Sequence, residues 1–256
     1  AYSDVDEGPV VNIWATNTDI SINGGSVTAI VPDGLTKTGI AVSNGYEGTN
    51  LNISKETVVT GDVDTIVAMI GVGGFATLEE AIAEAKPGQT IELLRDVTAS
   101  EIITIDKAVT INGNGNTITS TAARAINIDS QNAEITVVIK DLEIVAGKGC
   151  QRAINIITGD SSGAYAANVT LNNVTATENN YYAYAPVYIA PSAGAGTTLT
   201  VNESTISGWI ALSVYGDDRT VEVNNSDLTG TAYSDVDEGP VVNIWATNTD
   251  ISINGG

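Results

Sequence analysis

Six stretches of the chain share one grammar: two apolar residues flank one outward residue, a small polar residue follows, and a second short apolar stretch comes after it. They read VTINGNGNTIT (109–119), VTLNNVTAT (169–177), LTVNESTISG (199–208), VEVNNSDLTG (221–230), ISINGGSVTA (20–29) and LNISKETVVTG (51–61). A companion strand precedes most of them, at 124–129, 152–157, 185–190, 210–216, 240–246 and 38–44, and the companions recur roughly every 25 to 33 residues. Period-two alternation marks each stretch as a strand with one apolar face. So short a strand cannot bury that face alone. Stacking equivalent strands of successive coils in parallel makes an aliphatic column and pairs every backbone group with the coil above or below. The repeat period therefore points to a solenoid rather than a sandwich. The expected fold is an all-β, right-handed parallel β-helix, its hand set by the preference of parallel crossovers.

With one Phe and one Met in 256 residues, aliphatic side chains must fill the core. The small polar residue of each line (Asn112, Asn172, Asn202, Asn224, Asn23 with its copy Asn254, and Ser54) falls where the chain must turn. Asn tolerates the left-handed backbone region, and stacked copies are expected to form a polar ladder.

One segment departs from the grammar. In FATLEEAIAEAKPGQTIELL, Thr77 and Glu80 have the spacing of a capping box, Leu78, Ala81, Ile82 and Ala85 share a helical face, and Pro87-Gly88 ends the pattern. A short amphipathic helix over 77–85 is predicted to cover the open end of the β-helix, where unpaired strands would otherwise be exposed.

The run IGVGGFATLEEAIAEAKPGQTIELLRDVTASEIITIDKAVTINGNGNTIT (70–119) resembles the opening of pectin-lyase-like β-helix modules of bacterial surface proteins. That resemblance implies a right-handed β-helix on an extracellular, cell-surface protein. It places the final coils of one module at 1–65, a module-opening segment with the helix at 66–98, further coils at 99–231 and their continuation at 232–256. The last block repeats the first: Ala1–Gly25 and Ala232–Gly256 both read AYSDVDEGPVVNIWATNTDISINGG, an offset of 231 residues. The other coils have drifted until only their grammar matches, so the fold does not demand identity. The copy is expected to come either from a tandem array of 231-residue modules, seen through a slightly overlong window, or from a circular permutation that left an overlap.

A net charge of -21, from 31 acidic and 10 basic residues, argues against nucleic acid or anionic membrane as a partner. The single Cys150 excludes an intrachain disulfide. No stretch has the ~18 continuous apolar residues of a membrane span. The expected partners are neighbouring identical modules, end to end, and a glycan or host surface.

The chain has no histidine, which removes the usual general base and triad partner. Asn17-Thr18-Asp19, its copy ending in Asp250, and Gly216-Asp217-Asp218-Arg219 resemble the NTD and DD elements of polygalacturonases, but their order is reversed and the other elements of that family are missing. No catalytic residue is assigned, and the expectation is a non-enzyme. Arg124 and Arg152 precede AINI one coil apart and read as a surface pair. The acidic loop with Asp4, Asp6 and Glu7, copied as Asp235, Asp237 and Glu238, is the candidate for a structural calcium, with no other cofactor expected. Tyr181, Tyr182, Tyr184 and Tyr188 crowd one coil, and Trp209 and Trp245 (the copy of Trp14) lie near coil corners. Those aromatics are the candidate surface for stacking against sugar or protein.

Overall fold

The computed structural model describes residues 10–13, 19–29, 40–44, 50–54, 57–60, 62–63, 67–71, 73–75, 77–157, 165–178, 185–231 and 240–255. The chain divides into two units, Ala1–Thr77 and Leu78–Gly256.

The larger unit opens with the helix Leu78–Glu84, which buries Leu78, Ala81 and Ile82. The side chain of Ala85, one turn on, is also buried. The helix packs against Gln89–Leu93 and Ile103–Ile105, two strands of the first coil, as the apolar stripe requires.

The described strands then run through six coils and the opening strand of a seventh. Each coil has three sides. The first face stacks Gln89–Leu93, Val109–Asn112, the first half of Ile135–Ala146, the first half of Ala167–Glu178, Thr198–Asn202, Thr220–Asn224 and Asp250–Asn254. The second stacks Val97–Ala99, Thr117–Ser120, the second halves of the two long strands, Thr205–Gly208 and Asp227–Gly230. The third stacks Ile103–Ile105, Ile126–Asp129, Ile154–Ile157, Val187–Ile189, Leu212–Tyr215 and Val242–Trp245. Every one of these pairings is parallel, so the fold is the expected all-β parallel β-helix. What the sequence shows as one line of grammar is two strands bent at the polar residue, and the companion is the third side.

Register makes the columns explicit. On the first face Ile91, Ile111, Ile139, Leu171, Val201 and Val223 follow one another from coil to coil, and all are buried. On the third, Ile103, Ile126, Ile154, Val187 and Leu212 do the same. Removing such a side chain from water is worth about 1.5–3 kcal/mol, and each is contacted from above and below. The number of residues between stacked partners is far from constant: 20 from Gln89 to Val109, 28 from there to Val137, 32 to Val169, 30 to Leu199, 22 to Val221 and 30 to Ile251. The strands keep step, and the corners absorb the difference.

The polar ladder forms. Asn254 donates to Asn224 (3.1 Å), Asn224 to Asn202 (3.0 Å) and Asn202 to Asn172 (2.8 Å). Lys140 interrupts it at the next coil, and Asn112 donates instead to Glu92 at 2.7 Å. The left-handed backbone, however, belongs not to the ladder Asn but to the residue after it in four coils, Asn173 (φ 52), Glu203 (φ 50), Asn225 (φ 47) and Gly255 (φ 72), to Asp141 (φ 51) after Lys140, and to Asn114 (φ 52), two positions past Asn112. The ladder residue stays extended, which lets its amide reach the coil below, while its neighbour turns the corner. At the same bend Gly113 lies so close to the next coil that a Cβ would collide with the Asp141 carbonyl oxygen. Serines line the inside of this corner: Ser226 Oγ accepts the Ser204 N–H at 3.0 Å, and Ser204 Oγ accepts the Val174 N–H at 3.0 Å.

A second corner is held by Arg219, which is 3 % exposed. Its guanidinium donates to the carbonyls of Ala193 and Gly194, each at 2.6 Å, and of Tyr215 at 3.2 Å. Burial lowers its pKa, and Asp217 and Asp218 oppose that shift.

The smaller unit repeats the same coil. Val11–Ile13 pairs with Ile40–Asn44, Asp19–Ile22 with Asn50–Ile53 and Gly25–Thr28 with Thr57–Thr60, all in parallel around Ile13, Val27 and Val42. Asp62–Val63 adds to Ile40–Asn44 across an irregularity, and Ala68–Ile70 and Gly73–Phe75 form an antiparallel hairpin. The two copies of the 25-residue block adopt equivalent strands, Val11–Ile13 matching Val242–Trp245 and Asp19–Ile22 matching Asp250–Asn254.

Three outcomes follow for thermal and denaturant unfolding. Ile154→Ala, at the centre of the third-face column, costs about 3–4 kcal/mol. Arg219→Ala removes a charged donor from three carbonyls and costs about 3 kcal/mol, while Arg219→Lys, lacking the planar fork, restores less than half of it. Glu203→Gly relieves a left-handed Glu and raises stability by about 0.5–1 kcal/mol.

Candidate functional site: an aromatic row on the third face

The third-face positions that alternate with the aliphatic column do not carry Thr and Asn throughout, and two of them, Asn155 and Ser213, are buried. In register across the coils they read Thr104, Asn127, Asn155, Tyr188, Ser213 and Asn243, and one turn of alternation further Tyr215 faces Trp245. Stacked strands place such side chains about 4.8 Å apart, which lets rings on neighbouring coils touch. Tyr188 and Tyr215 have centroids 5.3 Å apart with planes tilted by 37°. Tyr215 and Trp245 are stacked, 6.3 Å apart and 11° from parallel. The row thus crosses three coils and ends in Trp245, which is 69 % exposed.

A polar margin adjoins it. The Arg152 guanidinium lies over the Tyr188 ring, its Cζ 3.5 Å from the centroid, and donates to Asn155 Oδ1 at 3.3 Å. Asn155 in turn donates to Asn127 at 2.9 Å, and Asn243 donates to the Tyr215 hydroxyl at 3.3 Å. Burial raises the Tyr188 pKa against the pull of Arg152, so Tyr188 is a neutral phenol with a cation on its face. Flat rings, a guanidinium and the half-buried amides of Asn127 and Asn243 can pack against the apolar face of a sugar and hydrogen-bond its hydroxyls, while the fully buried Asn155 braces Arg152 from beneath.

Of the sequence-predicted aromatic residues, Tyr188 stands in this row, as does Trp245. Trp209 does not belong to it: it is half-buried at the corner between Thr205–Gly208 and Leu212–Tyr215. Tyr181, Tyr182 and Tyr184 lie outside the described residues, as do Asp4, Asp6, Glu7, Asp235, Asp237 and Glu238 of the calcium candidate. Arg152 is not the solvated surface residue expected, because the Tyr188 ring draws it down; Arg124, one coil below, donates to the neighbouring Ala123 carbonyl at 3.4 Å. Tyr215 and the Asn127–Asn155 pair are the residues that sequence reasoning missed. The signal for Tyr215 was its place in IALSVYG, level with Trp245 in PVVNIWA once the companions are aligned.

The carboxylates weighed for catalysis have structural partners. Asp217 Oδ1 accepts both the backbone N–H and the hydroxyl of Thr247 in the following coil, and these bonds hold its carboxyl below the usual range. Asp218 turns the corner at φ 56 beside Arg219. Cys150 is buried, donates to the Arg152 carbonyl at 3.2 Å and has its thiol pKa raised by that burial, so it is held as a thiol rather than as a nucleophilic thiolate.

Comparison with protein families matches residues 69–208, more than half of the chain, to the pectate lyase-like adhesive domain. The chain belongs to that family. The match takes in the helix and the coils up to Gly208, and with them Tyr188 and Arg152. Neither the curated proteins nor the solved structures compared with the chain give a match.

The Asp217 bonds carry a pH signature. A carboxyl whose folded pKa is depressed contributes stability that is complete above its ordinary value of about 3.9 and disappears as pH falls through the lower folded value. Melting curves from about pH 6 down to pH 2 are expected to show a shallower acid loss for Asp217→Asn than for the parent chain.

Proposed function

We propose that the chain is a non-catalytic adhesive module, displayed outside the cell, that holds glycan along the third face. The observation that carries this reading is the row Tyr188, Tyr215 and Trp245, in which Tyr215 pairs with a ring on each neighbouring coil, with Arg152 and Asn243 at its edge. An oligosaccharide lying parallel to the coil axis meets one ring per coil, and the amide and guanidinium groups beside the rings meet its hydroxyls. Membership of a family described as adhesive supports the same reading. No described helix is long and apolar enough to cross a membrane. The strongly acidic surface suits contact with a neutral or calcium-bridged glycan better than with a polyanion.

A second property, repetition, is favoured by the identical 25-residue blocks. We read the 231-residue period as the unit of a tandem structural array, so that adhesive faces are presented in series along a stalk or filament. Sequencing the gene beyond both ends tests this: a further module of the same period is expected, and unrelated flanking sequence overturns it.

For the glycan reading, a panel of neutral and acidic oligosaccharides is titrated while the tryptophan fluorescence is followed. Binding is expected to weaken at least tenfold in Trp245→Ala and in Tyr215→Ala, with the melting temperature unchanged. Release of unsaturated, ultraviolet-absorbing product from uronic-acid polymers would replace the adhesive reading with a catalytic one.

A further inference from the structure

Beneath the aromatic row the third face changes from rings to cations. Carried back two residues from the strand pairings, the register sets Arg124 under Arg152 and Glu101 under Arg124, with Ala185 above Arg152. The Ala125 N–H donates to the Arg152 carbonyl at 2.9 Å, which puts the two arginines on adjoining coils at the same level of the corner. A third basic residue, Lys148, is exposed on the bend 147–151, whose backbone bonds to Ser120 and Ala123 of the coil below. Three of the ten Lys and Arg residues of a chain with a net charge of -21 thus share one corner.

Like charges one strand spacing apart destabilise each other, so the pair is kept at a cost to the fold. Arg152 lies flat on the Tyr188 ring, an arrangement that leaves the in-plane N–H groups of a guanidinium pointing sideways. Arg124 is half-buried, and its bond to the Ala123 carbonyl is long. Both act on the same ring: burial raises the Tyr188 pKa, and Arg152 and, more weakly, Arg124 pull it back. The carboxylates of this corner are Glu178, which is fully buried, and Glu101, which is exposed at the lower end of the column. The cationic stretch is therefore two coils tall, about 5 Å.

We infer that Arg124 and Arg152 form an anion subsite at the foot of the aromatic row, which takes a single oxyanion group, a carboxylate or a sulfate, on the end sugar of a glycan whose neutral part lies on the rings. A guanidinium matches such a group with two parallel hydrogen bonds, and the charge makes each of them stronger than a bond to a hydroxyl. The subsite has room for one charge. A second anion one sugar further on would meet Glu101 in one direction and the Tyr188 ring in the other, and the acidic surface beyond repels a polyanion. This inference rests on the glycan reading of the row and adds the charge of the ligand and its direction: the anionic end lies toward Arg124 and the neutral end toward Trp245.

The test is calorimetric titration of the full chain with tetrasaccharides of glucose, galactose and mannose, each as the neutral sugar, with one uronic acid at either end and with one sulfate at either end, and with a polyuronate for comparison. The neutral sugar that binds best is expected to bind about tenfold more tightly once it carries a single anion, and that gain shrinks as salt is raised. Whichever of uronic acid and sulfate gives the larger gain identifies the oxyanion. Arg124→Gln is expected to remove most of the gain while leaving neutral binding and the melting temperature unchanged, and Glu101→Gln to enlarge it about two- to threefold. Polyuronate binds more weakly than the singly charged sugar. The inference is overturned by equal binding of neutral and singly charged forms, by a gain that persists in Arg124→Gln, or by polyuronate binding most tightly. If no sugar of either kind binds, the glycan reading of the row falls together with the subsite; if both kinds bind equally, the subsite alone falls.

Discussion

The structure depends on vertical contact between equivalent residues. An aliphatic side chain on one coil sits on its counterpart a strand spacing away, while the backbone groups beside it bond to the same neighbour. Neither half suffices alone. A single three-sided coil is too thin to enclose a core, and its strand edges would be bare. Stacked coils satisfy both demands with one geometry, so cohesion in such a unit is a sum of nearest-neighbour terms rather than a property of one central cluster. It also explains how a core without Phe or Met clusters can be tight: Ile, Leu and Val in register leave little space for anything larger.

The coil grammar was legible because period-two alternation and the recurrence of one short pattern are both properties of the string. So was the helix: Leu78, Ala81, Ile82 and Ala85 fall on one side only in a helical period. The polar ladder was legible as a set of residues but not as a conformation. Asn112, Asn172, Asn202 and Asn224 were read as the turning residues, and the left-handed turn lies later, one position on at Asn173, Glu203 and Asn225 and two positions on at Asn114. Only coordinates reveal that the ladder amides must stay extended to reach their partners. Arg219 was unreadable for a related reason. Beside Asp217 and Asp218 it looks like part of a charged, solvated bend, yet two of its three partners are the carbonyls of Ala193 and Gly194, some 25 residues earlier, brought under it by the coil.

The aromatic row was half legible. Counting aromatics found Tyr188 and Trp245, but proximity in sequence favoured Tyr181, Tyr182 and Tyr184, and a coil fold groups residues by register instead. Tyr215 is 27 residues from Tyr188 and 30 from Trp245 in the chain, and it is the ring that connects them. The cation on Tyr188 follows the same logic, because Arg152 lies two residues before the strand beneath it, Ile154–Ile157.

The uneven spacing between stacked partners has a broader meaning. Twenty residues complete one turn of the larger unit and thirty-two complete another, yet the columns remain aligned. Residues can therefore be added at a corner without moving any strand, and the bend where they are added faces outward. A lineage carrying this architecture can rewrite its exterior, bend by bend, while the interior that keeps it folded is inherited unaltered.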